Sequence, residues 1–226
     1  MNRYILIIII LFQVFSFSAI AQSDSETFID RRDQNEYNII TIGNQKWMAE
    51  NLRYLPEVSP GEEGYIYEIH YYVYGYNGTD IDSAKASANY SEYGVLYSWL
   101  AAKKACPLGW RLPSEKDWAD LETELNNAQP GSYLASKSDL WEDGKLKKAD
   151  CWGGSGFNAM PAGYRDGNGF FSESGKMAYF WTSKQIKQSY AYYRYIESGE
   201  TYLGHDHGSW ENGYSIRCVK TIKTKK

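Results

Sequence analysis

The sequence predicts an α+β fold, two helices packed with short, mainly antiparallel strands. Three observations predict it. Residues 37–48 hold a β-branched run that turns at Gly43-Asn44. Residues 113–125 hold a helix start followed by apolar residues at helical spacing. Residues 190–197 alternate with the period of a strand.

Residues 1–21 come first, with Arg3, an apolar run broken by Gln13, and Ala19-Ile20-Ala21. That is the order of an export signal, with Gln22 as the expected mature start and an uncleaved anchor as the alternative. Cys is missing after that site, so a lipid anchor there is not expected. Later apolar stretches fall short of the ~20 residues of a membrane helix, so no span is expected after cleavage. Residues 22–27 read as a short leader, 28–220 as one domain and 221–226 as a basic tail.

Within the domain, the hairpin of 37–48 is followed by a loop-like stretch, 56–92, punctuated by Pro and Gly. Residues 93–104 have helical spacing, with Leu96, Trp99 and Leu100 on one face. Ser114 is the N-cap of the next helix, Asp117 stands at its N3 position, and Trp118, Leu121 and Leu125 form the inward stripe. Beyond Pro130 the chain becomes Gly-rich and strand-like. Residues 177–183, 190–197 and 214–219 read as strands and 204–208 as a loop.

The formal net charge of −4 offers no basic excess for phosphates, so a nucleic-acid partner is not expected. Aromatics make up 16% of the chain, which excludes extensive disorder. Three Cys are too few for a disulfide scaffold or a four-Cys zinc site.

Several segments then stand in a telling order: IGNQKWMAENLR (42–53), YGVLYSW (93–99), CPLGWRLP (106–113), MPAGYR (160–165), FWTS (180–183) and GYSIRCV (213–219). Together they resemble the Fibrobacter succinogenes major paralogous domain, over roughly residues 28–220. The resemblance implies an exported bacterial protein with a C-type-lectin-like fold. It implies no established reaction, ligand or catalytic set. In an oxidising compartment a Cys106–Cys218 bridge is expected to tie the last strand to the helical region. Cys151 is then the odd thiol, either partly buried, bridged to another molecule, or swapped into a pair with Cys106. The motif Trp and Tyr residues are expected to pack in the core.

Chemistry-bearing constellations are sparse. His205 and His207 have the spacing of a metal pair on a strand, but a third ligand is not evident. Residues 77–82 are oxygen-rich, yet lack the EF-hand order. The calcium-dependent sugar motifs of C-type lectins are also missing, with Trp210-Glu211-Asn212 only a faint echo. Glu62-Glu63, Glu122 and Glu124 read as surface charge. A related fold hosts the formylglycine-generating sulfatase activator, which uses a pair of reactive cysteines; here the expected bridge leaves one spare thiol. No cofactor is expected.

The remaining candidates are the aromatics Tyr65, Tyr67, Tyr71, Tyr72, Tyr74 and Tyr76, with flat faces and polar tips suited to sugars or peptides. The expectation is an exported, non-catalytic binding module of the secreted or periplasmic envelope. Its partner would be a glycan or envelope protein, met through this loop and the loops of 199–213. A structural cell-surface component without a small ligand is the alternative, and a metal- or thiol-dependent enzyme the remote one.

Overall fold

A computed structural model describes residues 26–126 and 128–221. The leader of 1–21 and nearly all of the basic tail lie outside the described residues. The chain opens with β1 (Thr27–Ile29), β2 (Glu36–Ile42), β3 (Gln45–Met48) and β4 (Tyr71–Tyr72). A helical stretch follows: α1 (Ile81–Lys85), α2 (Ala88–Tyr93), β5 (Leu96–Tyr97), α3 (Trp99–Ala105), α4 (Glu115–Leu125), α5 (Pro130–Leu134) and α6 (Lys145–Lys148). The last part is strand: β6 (Ala162–Arg165), β7 (Phe171–Ser174), β8 (Met177–Lys187), β9 (Tyr190–Glu197), β10 (Gly204–Ser209) and β11 (Val219–Thr221).

These strands form three sheets, ordered β1-β2-β3-β11, β10-β9-β8-β6-β7 and β4-β5. Pairing is antiparallel except between β6 and β8. The fold is therefore mixed α+β and mostly strand.

The hairpin forms as its residues predict, with Ile39 opposite Met48 and Ile42 opposite Gln45. So does α4. The Ser114 hydroxyl accepts from the Asp117 amide at 3.2 Å, and the Asp117 carboxylate accepts from the Ser114 amide at 2.7 Å. Both orphan donors of that helix start are thus satisfied. Asp117 also accepts from Arg111 at 2.7 Å and from the Gln45 side chain at 3.2 Å, so the cap pins the helix to the hairpin. Trp118 and Leu121 are buried and pack with Trp47, Phe157 and Phe180; the Trp47 and Trp118 rings lie 5.0 Å apart. Arg194 of β9 reaches Glu122 at 3.1 Å and Glu115 at 3.3 Å, tying α4 to the inner face of the large sheet. Glu122 is therefore an ion-pair partner rather than idle surface charge.

Cys106 and Cys218 form the expected disulfide, closing a sequence separation of 112 residues. A loop of that size is worth about 5 kcal/mol in chain entropy. Cys151 lies apart from it, with its sulfur 3.8 Å from the backbone and side-chain oxygens of Gln129.

Three expectations are corrected. The helix read over 93–104 is shorter, because Gly94 at φ +76 ends α2 and Leu96-Tyr97 pair with Tyr71-Tyr72 before α3 begins. A Cβ at Gly94 would meet the Leu52 carbonyl oxygen at 2.9 Å, so the turn admits no side chain there. The strand read over 214–219 shrinks to β11. Residues 214–218 thread between sheets through single bridges, Tyr97 to Tyr214 and Phe180 to Ser215. They are buried on all sides, and the fully buried Arg217 there needs carbonyl acceptors that a regular ladder would occupy. The loop read over 204–208 is strand β10, at the edge of the large sheet.

Candidate functional site

The six tyrosines of 65–76 do not make one surface. Tyr65 and Tyr67 are exposed, at 66% and 61%, and Tyr74 and Tyr76 are half-buried. Tyr71 and Tyr72 are core, which removes them as ligand platforms; the Tyr72 hydroxyl donates to the Glu63 carbonyl. Tyr67 stands edge-on to Trp210, and its hydroxyl accepts from the Gln188 amide at 2.9 Å. The oxygen-rich stretch that follows serves the backbone. Asp80 caps α1 by accepting from the Ser83 amide, and Asn77 accepts from the Gly61 amide.

His205 and His207 do share a face of β10, as a two-residue strand spacing requires. His205 stacks on Tyr192 at 4.7 Å and meets Glu115 at 2.8 Å. His207 meets Asp206 at 3.1 Å. Among the described residues no group of three or more His, Cys, Asp or Glu is placed to hold a metal ion.

A pair that the sequence reading missed is Ser59 and His70, both buried, with the Ser59 hydroxyl 3.0 Å from His70 Nδ1. The Tyr65 amide donates to His70 Nε2 at 3.3 Å. Nε2 is then the acceptor, and Nδ1–H donates to Ser59. That polarity is opposite to the one a nucleophile's base requires. Burial, helped by Arg165, outweighs the opposing Glu68 carboxylate 3.6 Å from Nε2 and holds the His70 pKa below its ordinary value.

The strongest constellation is on the face of the large sheet that carries Tyr193 and Trp181. Cross-strand register places Tyr195 opposite Gly204 and Tyr179, and Tyr193 opposite Asp206 and Trp181. Tyr164 of β6 lies beside Tyr179, with ring centroids 5.0 Å apart. Tyr179 is 5.5 Å from Tyr193 and 6.4 Å from Tyr195, and Tyr202 continues the row 6.3 Å beyond Tyr195. Beneath them Tyr214 is buried, stacked on Tyr179 at 5.1 Å and held by the Asn212 amide at 2.9 Å. Tyr164, Tyr179, Tyr193 and Tyr195 are half-buried and Tyr202 is exposed. A Cβ at Gly204 would fall 2.1 Å from the Tyr195 ring, so this glycine is what lets Tyr195 lie down over the edge strand.

The hydroxyls of Tyr164, Tyr179, Tyr193 and Tyr195 stay protonated well past neutrality. The hydrogen bond with Tyr202, then burial, pushes Tyr195 up to about 12. Burial, then the Asp206 carboxylate, does the same for Tyr193, also to about 12. Tyr179 and Tyr214 are raised further by burial. Each neutral phenol therefore presents a ring and oxygen lone pairs, and the Tyr195 hydroxyl is engaged with Tyr202.

The face was half legible. The alternation of Tyr193 and Tyr195 is in the sequence. Reading 204–208 as a strand would have set Gly204, Asp206 and Gly208 on the same side.

The sequence model of the Fibrobacter succinogenes major domain matches residues 40–220. No curated protein and no solved structure matches the chain.

Proposed function

The chain belongs to the Fibrobacter succinogenes major domain family, and on that premise we propose that it is an exported, non-catalytic module that binds glycan at the bacterial envelope. The observation that carries the reading is the row Tyr164, Tyr179, Tyr193, Tyr195 and Tyr202. Sugar rings have apolar C–H faces and hydroxyl edges, which a row of protonated tyrosines matches with rings and polar tips. Packing against Tyr214 and the neighbouring Trp181 restrains Tyr179 and Tyr193, so little of their side-chain entropy is lost on binding. The leader of 1–21 supports export, and the helices and curled sheets around one disulfide support a C-type-lectin-like fold. The tautomer of His70, with Ser59 as its acceptor, supports a binding rather than a hydrolytic role.

Binding of the mature protein to insoluble envelope and plant polysaccharides tests this. Tyr195→Ala and Tyr202→Ala are each expected to weaken binding about fivefold, the worth of roughly 1 kcal/mol per ring. Tyr65→Ala is expected to bind as the wild type does. Equal binding by all three variants, or none by the folded wild type, overturns the reading.

A further inference from the structure

We infer that the glycan taken by the tyrosine face carries protonated amino groups, an amino-sugar polymer rather than a neutral or acidic one. The inference rests on the glycan reading of that face. It follows from where the charges stand.

Glu197 follows Tyr195 by two positions on β9 and so shares its face, opposite Met177. Asp206 is directly opposite Tyr193 at the sheet edge. Asp166 follows Tyr164, and its carboxylate is oriented by the Asn168 and Phe170 amides at 2.9 and 2.8 Å. Glu173, on β7, acts on Tyr164 and Tyr179. Carboxylates thus stand beside Tyr193 and Tyr195 in the register of the sheet. Among the described residues Lys176 stands 4.0 Å from Glu173, and His207 stands 3.1 Å from Asp206. Glu197 and Asp166 have no ion-pair partner among them.

Tyrosine rings carry negative potential on their faces, and half-burial strengthens it by excluding water. Rings bordered by carboxylates therefore favour a cation seated on or beside them. A uronic acid or sulfated polymer would set like charges together at a cost. A neutral polymer would offer Glu197 and Asp206 hydroxyl donors but no charge to balance theirs. An amine on alternate edges of a stacked sugar chain satisfies both the rings and the carboxylates.

Three matched β-1,4-linked hexasaccharides distinguish these cases: glucosamine, N-acetylglucosamine and glucose. Titration calorimetry at low ionic strength is expected to give about tenfold tighter binding of the glucosamine oligomer. The gap is expected to close as salt is raised. Glu197→Gln and Asp206→Asn are each expected to narrow it roughly threefold to fivefold, the scale of an exposed ion pair. Circular dichroism confirms folding, and both variants keep the shape of the side chain.

Equal affinity for the three oligomers overturns this inference and leaves the glycan reading standing. Polylysine binding as tightly as the glucosamine oligomer also overturns it, as does undiminished glucosamine binding by Tyr195→Ala, because charge alone would then suffice. If no oligomer binds the folded protein, both readings fall together.

Discussion

The buried guanidinium of Arg217 donates to the Asn51 side chain at 2.9 Å across a sequence separation of 166 residues. It also donates to the carbonyls of Met48, Phe157 and Asn158, and it lies over the Phe157 ring at 4.6 Å. One side chain thus joins the hairpin, the 157–158 segment and the last buried strand-like stretch. Burial lowers its pKa to about 9, so the charge is held at neutral pH by those four acceptors. Arg217→Met is expected to lose about 3–5 kcal/mol in urea unfolding, by leaving buried acceptors without donors. Arg217→Lys is expected to recover little of it, because an ammonium cannot reach diverging acceptors as a planar fork does. Full recovery by Lys would show that charge, rather than the fork, is what the site needs.

The Cys106–Cys218 bridge predicts a labelling pattern. Unfolded protein treated with a thiol reagent without reductant is expected to carry one label, at Cys151, and three after reduction. The double Ser variant is expected to lose up to about 5 kcal/mol, an upper bound because reduced chains keep residual structure. Two labels on Cys106 and Cys218 before reduction would refute the bridge.

At the start of α4, Ser114→Ala is expected to cost about 1 kcal/mol. Burial raises the Asp117 carboxyl, but hydrogen bonds from Arg111 and Ser114 outweigh it and hold the pKa below the ordinary value. A depressed carboxyl stabilises the fold above its unfolded pKa, and that part is lost as pH falls through the folded one. Stability of the wild type is therefore expected to drop below about pH 4, where Asp117 has its unfolded pKa. Asp117→Asn is expected to be less stable at neutral pH and to show a shallower acid limb in denaturation curves.

Alkali acts in the opposite direction. Folded tyrosines with raised pKa values keep their protons when unfolded ones lose them. Their stabilising share is complete below about pH 10 and is lost as pH rises through the folded values. For Tyr193 and Tyr195 that window closes at about 12, and for Tyr37, Tyr72 and Tyr179 it lies higher. Phenolate absorbance is expected to include a late phase, from Tyr193, Tyr195 and the more deeply buried rings, coincident with loss of structure. A single phase centred near pH 10 would contradict the burial of these rings.

Local chemistry made part of this fold legible in the sequence. The Gly43-Asn44 hairpin, the Ser114 cap and the alternation of 190–197 each depend on neighbours a few residues away. What escaped depends on partners far away. Tyr71 and Tyr72 sit among polar, loop-like residues, yet pairing with Leu96-Tyr97 buries them. Ser59 meets His70 through a fold of the same irregular segment, with no periodicity to announce it. The tyrosine row draws on β6, β8 and β9 and on the turn after it, so its members become neighbours only when the sheet assembles.

The disulfide has a topological consequence for that row. Residues 106–218 form a covalent circle, and Tyr164, Tyr179, Tyr193, Tyr195, Tyr202 and Tyr214 all lie on it, as does α4 with its ion pairs to the sheet. A protease that cuts this circle once leaves a single molecule, because the two new ends remain joined through sulfur. The nicked protein can keep its tyrosine row in register, whereas a cut at 56–69 severs the hairpin segment from everything that follows. The covalent circle makes the aromatic face tolerant of a first cut within it.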